Sequence, residues 1–409
     1  MFFWLEISRL LFQYVQLPGT GCWLGVMQQV GCFTLCLTLE NFEMKKSLIA
    51  LAVLAASGAA MAQSSVTLYG LVDTFYANVS TDNGAGVTTS TNVLNSGAVN
   101  GSRWGLKGSE DLGGGLKANF QLESGFNNDT GAAAQGGLLF GRAAWVGFSG
   151  GFGAVSVGRI ATPYYDVEGA QDAVFNSALS PEGLTFRSST AGNAGSIGSA
   201  ATTRSNNTIK YVAPAMSGFG AALSYSLDEK VYAAAAAGAT PAVAAGRAVT
   251  SLNLTYAGGP VAVSFAYQNE AAYNGGSFTG VAVPATYGDI NFTRLQGSYD
   301  FGGIVAKLGF GKAGNVGFVS GADATEYMLG VDYKASSALT LSAGYANSSD
   351  NTTLSGVADQ TRKGFGLGAA YSLSKRTFLY GGYNTMTSAK TATPDSKVSL
   401  IAAGVQHRF

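Results

Sequence analysis

Strand-length segments in which apolar and polar residues alternate recur along the chain, and they constrain its fold more than any other feature. In residues 326–333 (EYMLGVDY) every second residue is Tyr, Leu or Val, and most residues between them are polar or small. Residues 399–409 (SLIAAGVQHRF) show a similar alternation. Because successive side chains of a strand point to opposite faces, such segments predict strands with one apolar face.

The connections between these segments alternate in length. Short, glycine-containing turns such as 113–115 and 258–259 alternate with long loops such as 80–100 and 161–205. Seven short turns and eight long loops put both ends of the strand array on the short-turn side. The sixteen predicted strands lie near 66–79, 101–110, 116–126, 138–149, 153–160, 206–213, 219–227, 249–257, 260–270, 288–300, 303–312, 324–334, 338–347, 363–373, 376–387 and 396–409.

Sorting of loops by length is typical of transmembrane β-barrels, which have short periplasmic turns and long external loops. In lipid every backbone N–H and C=O must find a partner within the protein, and among strand structures only a closed barrel achieves this. The sequence therefore predicts an all-β fold, a 16-stranded antiparallel transmembrane β-barrel. A secreted all-β adhesin or repeat protein is the alternative, but it gives no reason for the sorting.

The N-terminal region contains an export signal that starts at an internal methionine. Residues 44–62 begin Met-Lys-Lys, continue as a short apolar stretch and end on Ala-Met-Ala, which is the pattern of a cleaved secretory signal peptide. We expect Sec-dependent export with cleavage after residue 62, and a barrel over 63–409. Residues 1–43 then read as an upstream extension from a start assigned too early, with an N-terminal membrane anchor as the alternative.

Composition excludes several classes of function. Only 12% of residues are charged and the net charge is zero, so the chain lacks the basic patch that nucleic-acid binding requires. His407 is the only histidine, and all three cysteines precede residue 63, which leaves no Ser–His or Cys–His pair and no zinc site. We therefore expect no enzyme, metal or cofactor. Paired loop carboxylates leave glycoside hydrolysis as a less favoured alternative.

Several stretches resemble the general diffusion porins of Gram-negative outer membranes, particularly those of β-proteobacteria. The resemblance extends over residues 44–409, is specific within the motifs and does not include the loops. It is carried by 63–70 (QSSVTLYG), 102–117 (SRWGLKGSEDLGGGLK), 141–142 (GR), 157–159 (VGR), 206–211 (NNTIKY) and 406–409 (QHRF).

The resemblance implies a homotrimer of barrels in outer-membrane lipid, each with a water-filled pore for small hydrophilic solutes and ions. It also implies a third long loop that folds inward to narrow the pore, and residues 161–205 match this loop. Phe409 resembles the terminal aromatic residue read by the barrel-assembly machinery. A substrate-selective outer-membrane channel of the same architecture is the alternative function.

A charged constriction sets the selectivity of such a pore. Alternation places Arg103 and Lys107 opposite Trp104 and Leu106, and so predicts that both cations face the lumen. It also places Arg142 opposite Leu139 and Trp145, and Lys210 on the same face as Arg204. By resemblance Arg103, Arg142 and Arg204 form the basic cluster of the constriction, although ordinary lumen-facing charges would give the same pattern. The predicted basic residues are Arg103, Lys107, Arg142, Arg204 and Lys210.

The predicted acidic side of the constriction lies on the long loop. Glu182, in Ser-Pro-Glu-Gly, resembles the Pro-Glu loop motif of the family, although the aromatic-Gly pair that usually follows is missing. Acids facing bases would produce a transverse field across the pore, and the excess of bases weakly favours anions. A solvated loop face without a special role is the alternative for the other acids. The predicted acidic residues are Asp166, Glu168, Asp172 and Glu182.

Overall fold

The computed structural model describes residues 65–186, 201–227, 248–271, 288–316, 320–351, 360–390 and 393–409, together with a few short strands outside these ranges. The chain divides into two units, 1–63 and 64–409. In the first unit three short strands, Gln13–Gln16, Trp23–Val26 and Phe33–Leu35, form an antiparallel sheet. The predicted signal peptide, 44–62, lies outside the described residues, as does most of the upstream extension.

The second unit is a closed antiparallel β-barrel. Its strands are β1 (Ser65–Asp82), β2 (Thr88–Ser96), β3 (Arg103–Gly113), β4 (Leu116–Gly125), β5 (Ala143–Gly150), β6 (Gly153–Ala161), β7 (Arg204–Val212), β8 (Phe219–Ser226), β9 (Val249–Gly258), β10 (Val261–Glu270), β11 (Ile290–Asp300), β12 (Ile304–Gly314), β13 (Ala324–Lys334), β14 (Leu339–Asp350), β15 (Gln360–Ser372), β16 (Thr377–Lys390) and β17 (Thr393–Arg408). Two small hairpins, Val231–Tyr232 with Val243–Ala244 and Ser277–Phe278 with Val281–Ala282, lie in the connections after β8 and β10.

Pairing of the last strand with the first closes the barrel. β17 runs antiparallel to β1 from the Lys397–Asp82 pair to the Arg408–Leu71 pair. Phe409 and Gly70 then exchange backbone hydrogen bonds of 3.0 and 3.1 Å. The closed array satisfies the backbone groups of both end strands, and it confirms the predicted all-β, 16-stranded barrel fold.

The second position of the barrel is shared by two strand segments. β3 pairs with the start of β1, residues 65–71, and β2 pairs with its second half, residues 74–82. Seventeen segments therefore fill sixteen positions. The sequence placed β2 in the loop 80–100, because its residues (TTSTNVLNS) are mostly polar and lack clear alternation. The 18-residue length of β1 provides the partner that holds this polar segment in the sheet.

The two faces of the barrel have opposite chemistry. On the outer face Leu94 and Ile401 are 62% and 61% exposed, as expected of side chains that contact lipid. On the inner face Asp73, Gln268 and Glu326 are fully buried against other parts of the chain. An apolar exterior around a polar interior reverses the arrangement of a soluble protein.

No helix in the described part of the chain is long and apolar enough to cross a membrane.

Residues 162–186, the described first part of the long connection between β6 and β7, fold into the barrel. They form two short helices, α1 (Pro163–Glu168) and α2 (Pro181–Thr185), with a single 3₁₀ turn at Val174–Asn176 between them. Thr162 and Ser180 cap the two helices, and their hydroxyl oxygens accept hydrogen bonds from backbone N–H groups three and two residues further along. We call residues 162–186 the constriction loop.

Polar side chains of the lumen wall form hydrogen bonds with the backbone of the constriction loop and hold it along one side of the barrel. In β9, Ser251 accepts a 2.9 Å hydrogen bond from the Tyr164 amide. In β14, Ser342 accepts one of 2.8 Å from the Val174 amide. In β16, the Asn384 side-chain amide donates to the Ser180 carbonyl at 2.7 Å. The loop therefore follows the wall from β9 to β16. Apart from contacts of Tyr165 with Arg204 and of Asp166 with Lys210, it leaves the wall from β3 to β7 uncovered.

Glycines on β14 and β15 make room for the loop. A methyl group at Gly366 would collide with the Leu179 carbonyl oxygen, and one at Gly344 with the Ala173 side chain. The loop therefore lies closer to the wall than any larger residue at these positions would allow.

Replacing Gly366 with alanine should displace the constriction loop. Overpacking of this kind costs about 1–3 kcal/mol, so the barrel should unfold at a lower temperature in a gel-shift assay and its single-channel conductance should change. Gly309→Ala is the matched control, because its methyl group would meet Met328 at an ordinary 3.5 Å. Equal behaviour of the two variants would contradict the close seating of the loop.

Candidate pore constriction

Three arginines gather on the uncovered part of the wall. Arg103 opens β3, Arg142 directly precedes β5, and Arg204 opens β7. The Arg204 Nε donates to the Arg142 carbonyl at 3.0 Å, and the charges of both residues act on Arg103. The structure thus brings together the three arginines that the sequence assigned to the basic cluster.

A buried glutamate that the sequence analysis missed holds the middle arginine. The Arg142 Nε lies 2.7 Å from Glu123 Oε1, and the Tyr69 hydroxyl donates to Glu123 Oε2 at 2.9 Å. Glu123 offsets the charge of Arg142, so Arg103 and Arg204 supply the less compensated charge of the cluster. The alternation of Gln121, Leu122 and Glu123 along β4 is the signal that could have placed this glutamate on the lumen wall.

Alternation predicted the direction of Trp145 wrongly. Its indole Nε1 donates to Gln121 Oε1 at 3.2 Å, so Trp145 lies on the inner wall, whereas Val146 and Phe148 are exposed on the outer face. Arg142 nevertheless points inward. Because it precedes the first residue of β5, strand alternation does not fix the direction of its side chain.

The two predicted lysines lie in different surroundings. Lys107 is exposed, and its Nζ lies 5.2 Å from the centre of the Tyr69 ring. Lys210 is nearly buried, donates to the Ala161 carbonyl at 3.0 Å and forms an ion pair with Asp166. Asp166 therefore lies on the basic side of the lumen, next to β7, and offsets one of its charges.

The other three predicted acids face the barrel wall. Glu168, Asp172 and Glu182 are only 3–4% exposed, because the constriction loop lies between them and the uncovered wall. The Ser180 hydroxyl donates to Asp172 Oδ1 at 2.7 Å, and burial raises the pKa of the Asp172 carboxyl to about 6. These three carboxylates therefore do not stand opposite the arginines across open water.

Arg294 on β11 is the wall residue that pairs with two of the buried acids, Glu168 and Glu182. Its Nη1 forms an ion pair with Glu182 and lies 3.7 Å from Glu168 Oε1. Its guanidinium carbon lies 5.4 Å from the centre of the Phe186 ring and 5.8 Å from that of Tyr164. The sequence analysis did not select Arg294, although it alternates with the outward Leu295 as an inward residue should.

A second cation, on β12, fastens the middle of the loop. The Lys307 Nζ donates to the Asp172 carbonyl at 2.8 Å and lies 2.7 Å from Asp332 Oδ2. Arg294 binds an acid of each helix and Lys307 binds the segment between the helices, so the two cations hold the constriction loop to one half of the wall. Within the residues that the structure describes, no group of His, Cys, Asp or Glu is placed to hold a metal ion.

A closed barrel with an apolar exterior, a polar lumen and a loop folded into that lumen defines a channel-forming protein of the outer membrane. The chain belongs to the Gram-negative porin family, whose model matches residues 48–391. It forms an outer-membrane porin channel, and it is not an enzyme.

Relatives and solved structures agree with this assignment. The chain is 34% identical to an outer membrane porin protein of Bordetella pertussis, over 90% of the chain and 100% of the relative. It is 37% identical to outer membrane porin protein 32 of Delftia acidovorans, over 88% of the chain and 95% of the relative. Among solved structures, the anion-selective porin from Comamonas acidovorans covers 85% of the chain at 26% identity, over its whole length, with a TM-score of 0.64. The fold is shared by OmpT of Vibrio cholerae in its trimer form, at 18% identity and a TM-score of 0.57, over 85% of the chain and 99% of OmpT.

Arg294→Met should loosen the constriction loop, because Glu182 and Glu168 lose a buried ion pair. Breaking such a pair by removing one partner costs about 3–5 kcal/mol, and the loop should then fluctuate, which would appear as flickering single-channel current. The double variant Arg294→Met/Glu182→Gln should recover part of the stability.

Lys334→Met is the matched control for this prediction. It removes an exposed ion pair with Asp300, 2.8 Å long, of a kind worth less than about 1 kcal/mol. An Arg294→Met channel with steady current and unchanged stability would show that the loop does not depend on this arginine.

Proposed function

We propose that the chain is a general porin for passive diffusion of small hydrophilic solutes and ions, with a constriction that favours anions. The constriction lies between the loop predicted at 161–205 and the basic wall from β3 to β7. The observation that carries this proposal is that the acidic side chains are buried whereas the basic side chains stay exposed to the lumen. Three loop acids are buried against Arg294 and Lys307, whereas Arg103, Arg204 and Lys107 keep partly or fully exposed side chains.

The charge balance of the constriction supports anion preference. Glu123 offsets Arg142, and Asp166 offsets Lys210, so the predicted constriction residues that stay partly or fully exposed on this wall, Arg103, Arg204 and Lys107, are positive. A lumen lined by charges of one sign concentrates ions of the opposite sign. The solved anion-selective porin from Comamonas acidovorans gives this proposal independent support.

We further propose that the barrel acts as a homotrimer, that Phe409 is its assembly signal, and that residues 44–62 direct export. The trimer form of OmpT supports the first point. The backbone pairing of Phe409 with Gly70, at the closing seam of the barrel, supports the second.

Sequencing the protein extracted from outer membranes should give Gln63 as the first residue, and a start before residue 60 would contradict cleavage after Ala62.

Current recordings in planar lipid bilayers test the proposed pore. The protein purified from outer membranes should give ohmic current steps, grouped in threes. In a KCl gradient, the reversal potential should have the sign expected when chloride is more permeant than potassium. Arg103→Gln/Arg204→Gln should lower the chloride-to-potassium permeability ratio at least about twofold, because it removes the least compensated positive charges.

Lys334→Gln provides the control for this double variant, because it removes an exposed cation that lies at the turn between β13 and β14. Its permeability ratio should equal that of the unmodified channel. A reversal potential on the cation side for the unmodified channel would contradict anion preference, and absence of current would contradict the diffusion pore.

A further inference from the structure

The lumen contains an apolar cavity beside the basic cluster. A cavity of about 280 Å³ lies between the constriction loop and the wall formed by β1, β2 and β17. Phe75, Val79, Val93, Leu184 and Leu400 contribute its apolar lining, and Asn95 and Ser96 add polar groups at one side. The barrel strands that line the cavity, β1, β2 and β17, are not the strands that carry the basic residues.

Strand pairing shows that this lining faces inward. Val79 of β1 pairs with Leu400 of β17, and Val93 of β2 pairs with Ala77 of β1, so these residues share a face with the buried Asp73. The outward neighbours Leu94 and Ile401 are exposed on the lipid side. Val79 and Val93 are only partly buried. Apolar surface in contact with water carries an unfavourable free energy of hydration, which an apolar ligand group would remove.

A short interior segment connects the cavity to the arginines. Residues 97–101 follow β2, and Gly97 lines the edge of the cavity. At the other end, the Gly101 carbonyl accepts a 2.9 Å hydrogen bond from the Arg103 Nε. A methyl group at Gly97 would lie only 2.9 Å from the Gly101 Cα. The edge of the cavity and the residue hydrogen-bonded to Arg103 therefore lie within the length of a small molecule.

Asp73 holds the segment 97–101 in place. Its carboxylate accepts hydrogen bonds from the backbone amides of Val99 at 3.2 Å and Asn100 at 3.0 Å. The Tyr380 hydroxyl donates to the same carboxylate at 2.5 Å. The segment between the apolar cavity and the guanidinium group is therefore held in one position from β1 and β16.

We propose that this cavity binds the apolar end of small amphiphilic anions, namely carboxylates that carry an aromatic ring, while Arg103 binds their carboxylate. Charge complementarity selects the anionic head group, and the cavity volume exceeds the roughly 150 Å³ that accommodates a benzene ring. This proposal rests on the proposed anion-favouring pore and deepens it, because it assigns a preferred solute class to a channel otherwise selective only by size and charge.

Block of ionic current tests the proposal. 3-Phenylpropionate should reduce chloride current at roughly tenfold lower concentration than propionate, because burial of the ring adds apolar contact. Phenethylammonium, which has a ring and the opposite charge, should not block in this range. Val79→Thr/Val93→Thr should raise the half-blocking concentration of 3-phenylpropionate several-fold, because it makes the cavity polar with little change of side-chain volume.

Val249→Thr is the matched control, since it makes the same change on the inner face of β9, opposite the cavity side of the wall. It should leave the block by 3-phenylpropionate unchanged. Equal block by propionate and 3-phenylpropionate, or equal block by phenethylammonium, would overturn the proposal while the channel still conducts anions. Absence of current or cation preference would instead overturn the proposed pore.

Discussion

The need to satisfy every backbone hydrogen bond inside the protein governs this structure. A chain surrounded by lipid finds no water for its edge strands, so β17 must return to β1 and the sheet must close. Closure creates an inside and an outside, and strand alternation then assigns each residue to lipid or lumen. The shared position of β2 and β3 shows how far this requirement extends, because even the polar residues of β2 are used to complete the hydrogen bonds of the long first strand.

The constriction loop meets the same requirement inside the barrel. Its backbone leaves the sheet and would lose its partners, and the polar lumen wall supplies new ones from Ser251, Ser342 and Asn384. Glu168 and Glu182 of the loop pair with Arg294 on the same side. The inner wall from β9 to β16 therefore serves as a binding surface for the loop, and only the remaining wall is left for solutes.

Alternation and turn length predicted the barrel well, because both follow from the local geometry of strands. Arg103 and Lys107 were placed on the lumen side by the same rule, since both lie within β3. The rule failed at Trp145, where Arg142 precedes β5 and the two residues do not share one regular strand. Local sequence rules could not predict the direction of the Glu182 side chain. It depends on a five-residue helix and on Arg294, which lies 112 residues further along the chain.

The placement of the constriction loop on one half of the circumference separates two properties of the channel. The width of the passage depends on residues of β9 to β16, where glycines and Arg294 set how closely the loop approaches the wall. In the proposed constriction, the sign of the preferred ion depends on the basic residues of β3 to β7. A lineage that descends from this protein could therefore change its ion preference at a few wall positions and keep its aperture, or widen its aperture and keep its preference.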